Sequence, residues 1–217
     1  MSDKNRVVYG INTGFGNFAD KIISRSELEQ LQVNLVRSHA VGVADPLPPN
    51  TTKRMMILRI NTLCKGRSGM CPDNLKKYID ALNNGYLPMI PEKGTVGASG
   101  DLAPLSHLAL GMMGEGLAWN EKENKFTDAK KIMEEKGLLP VHLQEKEGLA
   151  LINGTQFMSS IISEVETCSR VLLESAIIVF AFALEIFGFE KEMLSEDLIN
   201  YYEGQQKTVG VMMRKVK

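Results

Sequence analysis

The sequence has few cysteines, almost no net charge and no long unbroken apolar run. Its three cysteines are Cys64, Cys71 and Cys168. They make no CxxC spacing and cannot all pair with one another, which fits a reduced, cytoplasmic compartment. Lysine and arginine number 25 against 26 aspartate and glutamate, a net charge of −1. No electrostatic footprint points to nucleic acid or an anionic membrane. The opening "MSDKNRVVYG" has charge but no apolar core, so no signal peptide is expected. The most apolar stretch, "VLLESAIIVFAFALEIFGF" from Val171 to Phe189, is interrupted by Glu174 and Glu185. The clean run between them is too short to span a bilayer. It is expected as a helix buried on most sides, at the centre of a bundle. No HExxH occurs and the three histidines are far apart in sequence, so no metal site is expected.

What is present is the material of a globular protein. The 217 residues are 44% hydrophobic and 24% charged, enough for one domain of ordinary size with a real core. The pattern is mostly helical. Ser26 and Glu29 match a capping box, followed by Leu28, Leu31, Leu35 and Val36 at helical spacing. "DPLPPN" breaks the chain. A second helix is expected from Pro49 or Asn50 to about Lys65, stopped by Gly66. A third covers "PDNLKKYIDALNNG", with Leu75, Ile79 and Leu82 as its stripe. Asp101 is the expected N-cap of a helix through Leu110, with Pro104 tolerated in its first turn. "TDAKKIMEEKG" reads as a short polar helix, and "LPVHLQEKEGLALING" as a partly helical connection. A long helix should run from Thr155 to about Phe187. Strands are few, "RVVYGI" being the best candidate. The end, "MMRKVK", reads as a solvated tail.

The chemistry lies in two glycine-rich segments, "YGINTGFGNF" and "GTVGASGDLAPLSH". Neither is a phosphate loop: GK[ST] and GxGxxG are both missing. Tight turning or close backbone approach is the plain alternative for such glycines. A nucleophilic Ser99 with His39, His107 or His142 as base lacks the GxSxG frame. A third reading concerns the backbone. In a bent loop the Gly100 nitrogen can reach the Ala98 carbonyl carbon. Ring closure with loss of water gives an imidazolone, and loss of the Ser99 hydroxyl leaves a methylidene. Gly100 leaves its nitrogen unobstructed, Ser99 supplies the leaving hydroxyl, and Ala98 is small. A nearby helix N-terminus would make the product more electrophilic.

"GTVGASGDLAPLSH" resembles the signature of the ammonia-lyases that carry 4-methylidene-imidazol-5-one (MIO). "VYGINTGFGNFA", "LQVNLVRSHAVGV" and "EGLALINGTQ" resemble three other segments of that family, in the right order. The resemblance implies a mainly α fold: a MIO-loop region followed by the start of a long-helix bundle of the fumarase/aspartase-like type. Residues 1–154 would be the MIO-bearing region and 155–217 the start of the bundle. It implies MIO from Ala98, Ser99 and Gly100, with no metal or dissociable cofactor. Tyr9 would take the β-proton of an amino-acid substrate. A phenol is ordinarily protonated near neutral pH, so the site must stabilise the phenolate or supply the base in some other way. Asn153 would hold MIO and the substrate end, while Gly14, Asp101 and Leu102 would support loop and pocket. Packing alone for Tyr9, and helix capping for Asn153, are the plain alternatives.

The substrate-reading dipeptide of the family falls here on Ser38-His39, which resembles the histidine branch. An imidazole partner suits a substrate imidazole, since one ring donates where the other accepts. The implied reaction is L-histidine to trans-urocanate and ammonia, with phenylalanine or tyrosine as alternative substrates. Family members are more than twice as long and share active sites among the subunits of a tetramer. The family's carboxylate-gripping arginine is expected beyond this sequence, and "INYYEGQQKTVGVMMRKVK" departs from the family pattern. The alternative reading is therefore a truncated relative, or a partner subunit, without turnover. "IIVFAFALEIF" predicts an apolar surface and hence a homo-oligomer rather than a monomer. Sedimentation at low concentration checks this: association is expected, and a clean monomer contradicts it.

Overall fold

The computed structural model describes residues 7–14, 21–24, 27–98, 100–188 and 191–215. The chain is mainly α and divides into two compact units, Met1–Ile161 and Ile162–Lys217.

In the first unit, helix α1 (Leu28–His39) buries Leu28, Gln32, Leu35 and Val36. Ser26 of the expected capping box lies outside the described residues, and Glu27 occupies the N-cap position. Strand β1 (Val43–Pro46) leads into α2 (Pro49–Leu63), where proline at the first helical position costs no hydrogen bond. Helix α3 (Pro72–Asn83) also starts on proline. Its buried face is Asn74, Tyr78 and Ala81 rather than the expected Leu75, Ile79 and Leu82. The interior can take Asn74 because its amide donates to the Glu147 carboxylate and the His142 carbonyl, at 2.7 and 2.8 Å. Leu75 and Leu82 pack at the margin of the core.

Strand β2 (Pro91–Lys93) pairs antiparallel with β1, and the loop after it feeds α4 (Leu102–Met112). Helix α4 is apolar nearly all round because it is the centre of this unit. Ala103, Leu105, Leu108, Ala109 and Met112 are buried, and the helix packs on α1 and on α6 (Glu147–Ile152). A hairpin of β3 (Leu117–Asn120) and β4 (Lys125–Asp128) then covers part of the core, with Trp119 edge-on to Phe126. Asp128 caps α5 (Ala129–Glu135), its carboxylate accepting from the Lys131 backbone N–H at 2.9 Å.

The expected strand at "RVVYGI" is a turn in its described part. The Ile11 and Asn12 amides both donate to the Val8 carbonyl, and the Asn12 side chain accepts from the Val8 N–H at 2.7 Å. A local amide has taken the place of a strand partner.

The long helix α7 (Gln156–Phe187) begins in the first unit and continues into the second. A 3₁₀ turn (Lys191–Leu194), α8 (Glu196–Tyr201) and α9 (Gly204–Lys215) follow. Ile199 and Met213 are buried here. The expected solvated tail is helical as far as Lys215. The expectation that Val171–Phe189 is buried on most sides is corrected. Ile177 is buried, whereas Leu172, Val179, Phe182, Ile186 and Phe187 are exposed. Two short helices do not supply enough surface to surround a helix of 32 residues. Among the described residues, no helix is long and apolar enough to cross a membrane.

Leu105→Ala should cost about 2–5 kcal/mol through lost burial and the cavity left behind. Leu139→Ala, at an exposed position, should stay within about 0.5 kcal/mol. Urea unfolding of both variants checks this, and equal losses would contradict the placement of the core.

Candidate active site

The loop between β2 and α4 lies against the connection between α6 and α7. Two glycines permit the approach. Gly97 has φ +66°, and a Cβ there would overlap the Met158 sulfur. A Cβ on Gly100 would come within 2.5 Å of the Asn153 side-chain oxygen. The Asn153 amide therefore abuts the third residue of Ala98-Ser99-Gly100. Ala98 is exposed, and Ser99 lies outside the described residues.

Asp101 fastens the loop. It is completely buried. Its backbone N–H donates to the Gly154 carbonyl at 2.7 Å. Its carboxylate accepts from the Met158 backbone N–H at 3.0 Å and the Thr95 hydroxyl at 3.4 Å. The Thr95 hydroxyl in turn accepts from the Gly97 N–H at 3.1 Å. Asp101 occupies the N-cap position of α4 as expected, but its side chain makes no capping bond to that helix. It serves the first turn of α7 instead, where a negative charge meets exposed N–H groups. Leu102 packs half-buried against the core.

The opposite face of the same connection meets Arg59, a residue that the sequence reading did not single out. Arg59 is 2% exposed. Its guanidinium donates to the Ala150 carbonyl, to the Asn153 carbonyl at 3.2 Å and to the Gln156 side-chain oxygen at 2.8 Å. Burial lowers its pKa from the ordinary arginine value. No carboxylate forms an ion pair with it among the described residues. The sequence signal was a cation in an otherwise uncharged helical face: Thr52, Met55, Met56, Arg59, Leu63. Glu147 was missed as well. Its buried carboxylate accepts from the Cys71 and Gln144 backbone N–H groups and from Asn74, at 2.7–2.8 Å.

Ser38 and His39 end α1. His39 Nδ1 sits 2.9 Å from the Leu35 carbonyl, and Ser38 Oγ donates to the same oxygen at 3.0 Å. A carbonyl only accepts, so Nδ1 carries a proton, and Nε2 of a neutral ring is the acceptor. Three residues on, Gly42 passes the base of the loop. A Cβ on Gly94 would lie 3.1 Å from both Gly42 Cα and Ala103 Cβ. Tyr9 is 52% exposed, on the Val8–Asn12 turn. Gly14 is buried, its N–H donating to the Lys21 carbonyl at 3.1 Å. The described contacts thus join Gly100, Asp101 and Asn153 directly, whereas those of Ser38-His39 and Gly14 are local to their own segments. Among the described residues, no group of three or more His, Cys, Asp or Glu could hold a metal.

His107 is a structural acceptor: its Nε2 takes the Gly42 N–H at 3.0 Å. Burial lowers its pKa from the ordinary value. The unfolded chain therefore binds this proton more readily. The bond's contribution to stability is whole above about pH 6.5 and is lost as pH falls through the lowered folded value. Urea unfolding between pH 5 and 8 should show stability falling on the acid side. His107→Gln, which keeps an acceptor that does not titrate, should flatten that fall; an unchanged pH dependence would contradict the role.

The aromatic amino acid lyase family model matches residues 1–216. Histidine ammonia-lyase from Homo sapiens is 53% identical over 192 residues, covering 88% of this chain and 29% of that protein. The crystal structure of histidine ammonia-lyase from Trypanosoma cruzi superposes with a TM-score of 0.88 at 44% identity, covering 96% of this chain and 40% of that one. Phenylalanine aminomutase from Pantoea agglomerans gives 0.89 at 30% identity, covering 97% and 40%. The chain thus spans between 29% and 40% of the length of these relatives. It belongs to the aromatic amino acid lyase family.

Proposed function

We propose that the protein is a histidine ammonia-lyase, eliminating ammonia from L-histidine to give trans-urocanate. The observation that carries the reading is the Gly100–Asn153 contact, fastened by Asp101. The residues fit a MIO group made from Ala98, Ser99 and Gly100. Gly100 has no room for a side chain, the Asn153 amide lies at its Cα, and the left-handed Gly97 turns the chain just before the tripeptide. That group would supply an electrophile that draws electron density from the substrate amine and makes nitrogen a better leaving group.

The chain's own residues do the rest. Tyr9 takes the β-proton, the C–H electron pair becomes the new double bond, and the amine leaves with the C–N pair. Half exposure lets the Tyr9 phenol meet a substrate. The Asn153 amide orients the substrate end beside the loop. His39 selects an imidazole: with Nδ1 committed to Leu35, its Nε2 can accept the substrate ring's N–H. Ser38 shares the same carbonyl and steadies the ring. Identity of 53% to a histidine ammonia-lyase supports this substrate over phenylalanine or tyrosine. The setting we propose is a cytoplasmic homotetramer. Three free thiols and the exposed apolar face of α7 support it. That same face supports a second reading, in which the chain works only when joined to a partner and has no turnover alone.

Urocanate formation from L-histidine by the chain alone decides between the two. Turnover is expected, with histidine preferred over phenylalanine and tyrosine, and its absence favours the second reading. Tyr9→Phe should lower kcat by about 10²–10⁴-fold with stability unchanged. Intact turnover in that variant would remove Tyr9 from the base role.

A further inference from the structure

We infer that Arg59 is a positioning residue for ring closure in the Ala98-Ser99-Gly100 loop, acting through the Asn153–Met158 segment. The inference rests on the function proposed above.

The segment lies between two supports. On one side is the loop, which presses Gly100 against the Asn153 amide, Gly97 against Met158, and Asp101 onto Gly154 and Met158. On the other side is the Arg59 guanidinium. It reaches the last turn of α6 at Ala150, the connection at Asn153 and the first residue of α7 at Gln156. Gly154 lies flat on it, for a Cβ there would overlap Arg59 Nη1. Ring closure needs the loop held compressed while the Gly100 nitrogen approaches the Ala98 carbonyl carbon, and compression requires a support that does not yield. One planar group with several donors fixes three points of the segment at once, which a lysine ammonium or an apolar side chain cannot do.

Stability alone does not explain this choice. A buried cation without a carboxylate partner carries a desolvation cost that an apolar residue of similar volume avoids. The far end of α6 is fixed by a buried ion too: Glu147, at the helix N-terminus, holds the Cys71 and Gln144 amides. The short helix that delivers Asn153 is therefore anchored at both ends, with the sign of charge that each end of its dipole favours.

The test is made on the whole chain, synthesised in a cell-free reaction and sampled over time. The tryptic peptide Gly94–Lys122 is weighed in the parent, Arg59→Lys, Arg59→Met and Ile132→Ala. Ile132 is a core residue of α5, so its truncation lowers stability away from the loop. In the parent the peptide should lose the mass of two waters. In the folded fraction of both Arg59 variants that loss should accumulate roughly a hundredfold more slowly. Ile132→Ala should cyclise at the parent rate. Parent-like cyclisation in the Arg59 variants, or equal slowing in Ile132→Ala, overturns the positioning role and leaves the proposed function standing. A parent peptide that keeps its encoded mass overturns that function and this inference together.

Discussion

Asp101, through its carboxylate and its backbone N–H, sits where three parts of the chain converge. They are the loop before α4, the connection after α6 and the first turn of α7. It is fully buried, so its bonds are not contested by water, and losing one would leave a polar group unpaired in the interior. The rest of the site depends on this knot. The Gly97 turn, the closeness of Gly100 to Asn153 and the start of the long helix are all fixed relative to it. An acid that simply capped its own helix would have left the loop free. By binding the next helix instead, Asp101 makes the loop and the Asn153–Met158 segment one unit.

Around that knot, buried charge is satisfied mainly by the backbone and by neutral side chains. Arg59 takes carbonyls and the Gln156 amide oxygen, and Glu147 takes backbone N–H groups and the Asn74 amide. Such bonds are directional and tie each ion to particular points of the chain. The apolar core under them, centred on Leu105, Leu108 and Met112 of α4, gives bulk stability. The polar contacts decide where the connection after α6 lies. A short helix of six residues has little intrinsic stability, so its placement must come from outside it.

Helices α2 and α3 were legible in the sequence because a proline marks the start of each, and α7 because its apolar composition runs on without a glycine or proline break. The loop before α4 was legible through its prolines and glycines. The β3–β4 hairpin was missed: "LAWN" and "KFTD" are four residues each, too short for alternation to stand out. "RVVYGI" misled because β-branched residues suit a strand, while Asn12, just beyond, closes the turn on itself. In α3 a leucine stripe outranked Asn74 and Tyr78, since nothing local reveals that a distant Glu147 will satisfy the asparagine. Arg59 and Glu147 were hidden for the same reason, as their side-chain partners lie 97 and 73 positions away and their other partners are in the backbone. In α7 the apolar composition was read correctly, but its burial depends on surfaces that the chain's second unit does not supply.

Native-state hydrogen exchange at the Asp101 and Met158 amides tests the knot most directly. If loop and connection are one unit, both protons exchange only with global unfolding, at the same free energy as the amides of Leu105 and Leu108 in α4. Exchange at Asp101 and Met158 through a local opening, while the centre of α4 stays protected, would contradict the account.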